Sequence, residues 1–129
     1  MAVDPTIYFQ LKCHLVHTIF SGTVPSEIGN LRNLKVLSLS TSNLDGIVPN
    51  TIFNISTMEE LFLGDNQLSG QLPSSIDYGL PNLEMLVLNH NNFRGTIPKS
   101  ISNVSKLSIL ELSENLISGY IPNTIGSFN

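Results

Sequence analysis

Glycine, proline and isoleucine return at fixed distances through most of this chain, and this regularity restricts the possible folds more than any other feature. Residues 31–54, 80–103 and 104–127 are segments of 24 residues, residues 55–79 are a segment of 25, and residues 20–30 are a half repeat. The shared columns are Gly at the sixteenth place (Gly22, Gly46, Gly70, Gly95, Gly119), Pro at the nineteenth (Pro25, Pro49, Pro73, Pro98, Pro122) and Ile at the twenty-second (Ile28, Ile52, Ile76, Ile101, Ile125). A fixed period of this length predicts a stack of similar coils, one coil per repeat.

Leucines mark the strand of each coil. The seventh and ninth places hold, repeat by repeat, Leu37/Leu39, Leu61/Leu63, Leu86/Leu88 and Leu110/Leu112. Because side chains alternate along a strand, both leucines of a pair point inward, and the sixth and eighth places point outward. One coil cannot bury its own apolar face, so neighbouring coils must stack and share a core.

The other repeated places predict how each coil turns. The twelfth place holds Ser42, Asn66, Asn91 and Asn115, and an amide at the end of a strand can satisfy backbone groups of its own and the adjoining coil. Gly at the sixteenth place fits a positive φ or a close approach between coils. Pro at the nineteenth place removes a backbone donor, which favours short 3-10 turns and irregular chain over long helices on the convex side.

The repeat LxxLxxLxLxxNxLxGxIPxxIGN resembles the plant-type leucine-rich repeat, over residues 20–127. The stretches IFNIS and LPSSIDYGLPNLEML are similar to ectodomains of plant receptor-like serine/threonine kinases of the immune-receptor type. This resemblance implies an α/β-type solenoid, wound as a right-handed superhelix, with short parallel strands on the concave face. It also implies a non-catalytic module of a receptor-like kinase or receptor-like protein, at the extracellular face of the plasma membrane. Such a module binds a peptide, a protein or a co-receptor ectodomain in signalling or defence.

Composition narrows the function classes. Charged residues make up 12% of the 129-residue chain, the net charge is −4, and the six basic residues are scattered, which argues against a nucleic-acid partner. No apolar run reaches the roughly 18 residues that span a bilayer, and the N-terminus does not read as a secretory signal, so we expect no membrane contact by this segment. Kinase motifs are absent, and we expect no cofactor and no catalytic activity. We interpret the chain as a fragment or truncated product, with a degenerate segment at residues 1–19 and a repeat domain at residues 20–129.

The outward places of the strands are the candidate ligand-binding surface. Phe62, Met85, Val87 and Ile109 fall on neighbouring sixth and eighth places, and an exposed apolar patch of this kind is typical of partner sites. We predict a groove for an extended peptide or a protein surface with Phe62 as its anchor, although scattered surface apolar residues would give the same pattern. The predicted set is Glu60, Phe62, Asp65, Met85, Val87, His90, Asn92, Ile109, Glu111 and Glu114.

Charged residues at these places offer further interpretations. His90 falls one coil from Asp65 and one coil from Glu114, so we expect its charged form to be favoured and ligand binding there to depend on pH. A metal site would need more ligands than these three residues. A glycosidase pair among Asp65, Glu111 and Glu114 would need one desolvated carboxyl, which an open, wet face does not provide.

The N-terminal segment holds a small cluster of Cys13, His14 and His17. The cluster lacks a fourth ligand and the usual zinc spacing, so we interpret it as a segment before the array and predict no metal site. The segment also has the features of a decayed repeat, because Ile7, Cys13 and Leu15 fall in phase with the first, seventh and ninth places.

Two sequons end repeats of the array. Asn54-Ile55-Ser56 and Asn103-Val104-Ser105 match the N-glycosylation pattern, and we predict Asn54 and Asn103 as glycan acceptors in a secreted protein.

Two other functions fit the same repeat. One is a secreted inhibitor of cell-wall-degrading enzymes, similar to polygalacturonase inhibitors, and the other is a remnant without a binding function. A transcript that ends shortly after the repeats, without a membrane helix, would favour the inhibitor.

The stacked-coil interpretation makes Leu86 a core residue. We expect Leu86→Ala to lower the free energy of unfolding by about 2–5 kcal/mol, because it removes buried methyl groups and leaves a cavity. A thermal or urea melt measures the loss, and an unchanged melt would show that this side chain is not buried.

Overall fold

Each full coil within residues 31–103 consists of a short strand, a tight turn, a second strand and one helical turn. The computed structural model describes residues 10–11, 14–16 and 22–119. In chain order the strands are β1 (Gln10–Leu11), β2 (His14–Val16), β3 (Gly22–Thr23), β4 (Val36–Ser38), β5 (Leu44–Ile47), β6 (Glu60–Phe62), β7 (Gln67–Gly70), β8 (Met85–Val87), β9 (Asn92–Thr96), β10 (Ile109–Glu111) and β11 (Leu116–Ser118). The helical turns are the 3-10 helices Ser26–Asn30, Asn50–Asn54 and Lys99–Asn103 and the α-helical turn α1 (Ile76–Gly79).

The first strands of the coils form one sheet, which we call the concave sheet. Its order is β1-β2-β4-β6-β8-β10, with parallel pairing from β2 to β10 and an antiparallel pair between β1 and β2. Leu37, Leu61, Leu86 and Leu110 face one another in register along this sheet. The first three are fully buried, and Leu110 is partly buried against the same core. The predicted row of inward leucines, and with it the α/β solenoid, is confirmed.

A second sheet follows the turn of each coil, where irregular chain was predicted. Its order is β11-β9-β7-β5-β3, and its pairings are parallel in the described residues. Each of its strands lies a few residues before the proline of its coil, and a residue that precedes proline is restricted to extended conformations. Stacking at the ordinary strand spacing of about 4.8 Å then brings these extended segments within hydrogen-bonding distance. The second sheet was therefore missed because its sequence lacks the alternating leucines that marked the first.

The asparagine of the twelfth place connects the coils at the end of the concave sheet. The Asn91 Nδ2 donates to the carbonyl of Leu88 in its own coil and to the carbonyl of Leu63 in the preceding coil, at 3.1 and 2.9 Å. Its Oδ1 accepts the Leu68 N–H of the preceding coil at 2.9 Å. The predicted role of this amide is confirmed. Corresponding bonds are made by Asn66 and Asn115.

The convex turns are short, as the prolines predicted, and one of them differs because its repeat has an extra residue. The 25-residue repeat forms α1 where the other described coils form 3-10 helices. A Cβ at Gly79, the last residue of α1, would collide with the Phe53 carbonyl oxygen of the preceding coil. Gly46 and Gly70, at the sixteenth place, have φ of +80° and +108°, so the predicted positive φ is confirmed.

The N-terminal segment contributes β2 to the concave sheet in a register that the 24-residue phase did not predict. Leu15 pairs with Leu37, whereas the phase assigns Cys13 to the seventh place. The spacing from Leu15 to Leu37 is 22 residues, so the connection between β2 and β4 is two residues shorter than a full repeat. Cys13 and His17 lie outside the described residues.

The helical segments of the described chain reach five residues at most, and none has the length and hydropathy that crossing a membrane requires.

The bonds of Asn91 generate a stability prediction. We expect Asn91→Ala to lower the free energy of unfolding by about 2–4 kcal/mol, because it leaves the Leu68 N–H and two carbonyls without their partner inside the stack. Urea melts followed by circular dichroism measure the change.

The neighbouring Asn92→Ala is the matched control, because this side chain is exposed and its removal should change stability by less than about 0.5 kcal/mol. Equal effects of the two substitutions would contradict the role assigned to the twelfth place.

Candidate ligand-binding face

The sixth and eighth places form the outward surface of the concave sheet. They point away from the core because the seventh-place leucine between them points inward. Phe62 lies beside Val87, and Met85 lies beside Ile109, in the parallel register of β6, β8 and β10. The first three of these side chains are partly exposed and Ile109 is 44% exposed. The structure thus brings together the four predicted apolar residues, which we call the apolar patch (Phe62, Met85, Val87, Ile109).

Two carboxylates lie at opposite corners of the apolar patch. Glu60 pairs with Met85 on the sixth-place column, and Glu111 pairs with Val87 on the eighth-place column. The Glu111 Oε1 accepts the Ser113 N–H at 2.9 Å. This backbone bond, a bond to the Ser113 side chain and the nearby His90 lower the pKa of Glu111 from its ordinary value of 4.5, against a small opposing effect of burial. Ser113 was missed in the sequence, because its contribution comes from a backbone N–H that a turn aims at the carboxylate.

The eleventh place holds side chains on a left-handed backbone directly after the strands. Thr41, Asp65, His90 and Glu114 have φ between 53° and 57°, a region that costs a non-glycine residue roughly 1 kcal/mol or more. The backbone N–H of His90 donates to the Ser113 carbonyl of the next coil at 3.0 Å, and Thr41 and Asp65 make the same bond to their next coils. The stack therefore holds these side chains in fixed positions.

His90 forms a close pair with one of the two acids predicted beside it. Its Nδ1 lies 2.9 Å from the Asp65 Oδ1, and the two side chains are 55% and 53% exposed. Within the described residues, Asp65 is the acid that forms an ion pair with His90. His90 also lowers the pKa of Glu111, by less than the bonds from Ser113 do.

Asn92 lies away from the other predicted residues. It begins β9 of the second sheet and pairs there with Ser69, so it does not extend the concave sheet. The sequence analysis assigned Asn92 to the concave face because no residue pattern marks the turn that separates the two sheets.

The outward side chains of the concave sheet lie on an open face. Within the described residues, no group of three or more His, Cys, Asp or Glu side chains could hold a metal ion. Glu111 and Glu114 are exposed, and the pKa of Glu111 is lowered, whereas a general acid needs a raised one. Two depressions, of about 340 and 600 Å³, lie among the convex turns and are lined mainly by polar residues such as Asn50 and Ser75. The concave sheet itself is an open surface, which suits an extended ligand better than an enclosed small molecule.

The two sequon asparagines are exposed at the ends of 3-10 helices. Asn54 ends the helix Asn50–Asn54, and Asn103 ends the helix Lys99–Asn103. The Asn103 Nδ2 donates to the Asp77 Oδ2 at 3.2 Å. Glycosylation of both residues stays a prediction.

Family models match the repeats. A model described as leucine rich repeat matches residues 71–129, and a second model with the same description matches residues 33–55 and 57–78. The chain belongs to the leucine-rich repeat family. No curated protein sequence matches it significantly.

The leucine-rich repeats of this chain are similar to plant receptor ectodomains of known structure. The plant peptide hormone receptor RGFR1, solved in complex with RGF2, is 37% identical, with a TM-score of 0.76 over 84% of this chain. The ectodomain of the receptor kinase SOBIR1 from Arabidopsis thaliana is 37% identical, with a TM-score of 0.77 over 84%. The Arabidopsis receptor kinase HAESA, solved with the peptide hormone IDA and the co-receptor SERK1, is 30% identical, with a TM-score of 0.73 over 81%. The chain spans 17%, 58% and 18% of these three proteins, respectively.

The bonds of Glu111 generate a pH prediction. Because its pKa is lowered in the folded leucine-rich repeat, the interaction stabilises the fold above pH 4.5 and is lost as the pH falls through the lowered value. We expect Ser113→Ala to raise the Glu111 pKa part of the way toward 4.5, because the hydroxyl contribution disappears and the backbone N–H remains. NMR titration of the carboxyl carbons measures both values.

Ser108→Ala is the control, since the Ser108 hydroxyl donates to the Glu84 carbonyl and not to Glu111. If Glu111 in the unchanged protein titrates at 4.5 or above, the bond from Ser113 does not persist in solution.

Proposed function

We propose that the chain is a non-catalytic recognition module of a plant receptor, and that it binds an extended peptide or protein segment on the concave sheet. The observation that carries the proposal is the apolar patch, four partly or largely solvent-accessible side chains aligned on three adjacent strands. The similarity to RGFR1 and HAESA supports it, since both were solved with peptide hormones. A co-receptor ectodomain is the alternative protein partner, as SERK1 is in the HAESA complex.

The dimensions of the apolar patch fit a short stretch of extended chain. Three coils at about 4.8 Å give a length of roughly 10 Å along the solenoid, and the sixth and eighth places lie about 6.6 Å apart across it. An extended peptide advances about 3.3 Å per residue, so roughly three or four ligand residues cover the patch. Phe62 has the largest apolar side chain there, and aromatic side chains near the centre of an interface supply a large part of the binding energy.

The surface is organised before the ligand arrives. Its strands are parallel and in register, and the turns that follow them are fixed by the asparagines of the twelfth place. A surface that does not have to order its own side chains and backbone loses less affinity on binding.

We place the module outside the cell, as part of a receptor at the plasma membrane that acts in signalling or defence. The similarity to receptor-kinase ectodomains supports this location. Glycans on Asn54 and Asn103 are consistent with it, because both side chains are exposed in the convex turns. Mass spectrometry of the chain secreted from plant cells would show whether both carry glycans.

Binding should depend on Phe62. We expect peptides of about twelve residues, selected from a random displayed library on the purified chain, to bind Phe62→Ala roughly 10-fold more weakly or worse, because the anchor is lost. Biolayer interferometry measures the affinities, and thermal melts check that the variant folds.

Ile47→Ala is the matched control, since Ile47 is a 71% exposed apolar residue in β5 of the second sheet. A library that yields no binder sensitive to Phe62, or binders that depend equally on Ile47, would refute the proposed site.

A further inference from the structure

We infer that the occupant of the concave sheet is a basic peptide, with Lys or Arg on both sides of a short apolar stretch. The inference rests on the proposed function and specifies the chemistry of its ligand. It depends on where the charges of the chain lie relative to the apolar patch.

The net charge of the whole chain is located at the outward places of the concave sheet and its turns. In residues 31–118, the sixth, eighth, tenth and eleventh places contain four acidic residues and neither Lys nor Arg. The chain has ten acidic and six basic residues, so the remaining six acids and six bases cancel and the net −4 equals the charge of this face. The four residues, which we call the face acids, are Glu60, Asp65, Glu111 and Glu114.

Two of the face acids adjoin the apolar patch directly. Glu60 adjoins Met85 and Glu111 adjoins Val87, so a carboxylate lies at each of two opposite corners. Asp65 and Glu114 continue the negative charge along the turns that follow β6 and β10. An acidic peptide would meet repulsion at these two corners, whereas a basic one would form ion pairs there and bury its apolar residues over the patch.

The geometry also sets the spacing of the ligand charges. Glu60 and Glu111 are two coils apart along the solenoid and two places apart across it, which puts their Cα atoms roughly 12 Å apart. At about 3.3 Å per residue, two basic residues three or four positions apart in an extended peptide reach both carboxylates. The apolar residues between them then lie over the patch.

The two corner carboxylates are available to a ligand, whereas Asp65 is already engaged. The Asp65 Oδ1 lies 2.9 Å from the His90 Nδ1, so this carboxylate already has a partner on the face. The Glu111 Oε1 accepts the Ser113 N–H, which orients the carboxylate, and the Glu111 side chain remains exposed on the face. Within the described residues, the ion pair is that of His90 and Asp65, and Glu60 forms none.

The test uses a random peptide library of about twelve residues, displayed on phage and selected on the purified full chain. Binders that also bind Phe62→Ala are discarded, so that only patch-dependent peptides are sequenced. We expect Lys and Arg to be at least about twofold enriched in these peptides over the unselected library, and Asp and Glu to be depleted. A synthetic copy of one such peptide is the probe for the affinity measurements.

Charge removal should weaken this probe. We expect Glu60→Gln with Glu111→Gln to lower its affinity by about two- to fivefold for each charge removed, the range for exposed ion pairs. Raising the salt from about 0.05 to about 0.5 M should reduce the difference in probe affinity between the unchanged protein and the double variant, because exposed charges are then screened. Glu27→Gln with Asp45→Asn is the matched control, since both residues are exposed acids outside the face.

The outcomes separate the inference from the proposed function. Patch-dependent peptides without basic enrichment, or a probe that binds the Gln variant as well as the unchanged protein, would overturn the basic ligand and leave the recognition function standing. A library that yields no patch-dependent peptide would remove both. If the double variant melts early, Glu60→Gln alone gives the same readout, because Glu60 makes no bond to the turn that Ser113 fixes.

Discussion

The chain must turn sharply after every three-residue strand of the concave sheet, and the backbone groups at that turn would lie unpaired inside a stack of apolar coils. The asparagine of the twelfth place removes this difficulty, because one amide bonds backbone groups in two successive coils. Unpaired groups of this kind cost about 1–3 kcal/mol each, so the bonds of these amides help to hold the leucines in register. Ser42 stands at this place in the first full repeat, where the Asn66 side chain of the next coil bonds the Ser42 N–H.

This constraint also determines where variable side chains can be presented. The eleventh place adopts a left-handed backbone because its N–H and the next N–H must both reach the following coil or its asparagine. That conformation costs roughly 1–2 kcal/mol per residue, and the hydrogen bonds between coils offset this cost. Asp65, His90 and Glu114 differ in chemistry and share one backbone geometry. The scaffold therefore tolerates a change of charge on this face without a change of fold.

The 24-residue period predicted the parts of the fold that depend on residues repeated in every coil. The leucine row and the positive φ of Gly46 followed from it, as did the amide bonds of Asn91. The second sheet did not, because its pairing comes from the proximity of extended segments and not from a residue pattern. The predicted register of Leu15 was wrong by two residues, because counting in steps of 24 residues cannot detect a connection that is two residues shorter.

The candidate site was predictable to a similar extent. Alternation along the strands placed the four patch residues together, because strand geometry leaves one choice of outward face. The partners of His90 depended on side-chain direction at a left-handed residue, and the column order alone could not resolve them. The bond from Ser113 to Glu111 is also beyond the pattern, because any residue except proline supplies a backbone N–H.

In a solenoid, the inward side chains stabilise the fold and the outward side chains of the concave sheet are free to contact a partner. The distribution of charge over the outward side chains can therefore be interpreted in terms of a ligand. In a globular domain, a net charge of −4 is spread over a closed surface and says little about a partner. Here the charges outside the concave face cancel, and the face keeps the whole imbalance beside its exposed apolar residues. Packing does not require that arrangement, because the inward leucines and the bonds of the twelfth place involve none of the face acids. The acids at the border of the apolar patch are therefore best explained by a ligand that brings the opposite charge.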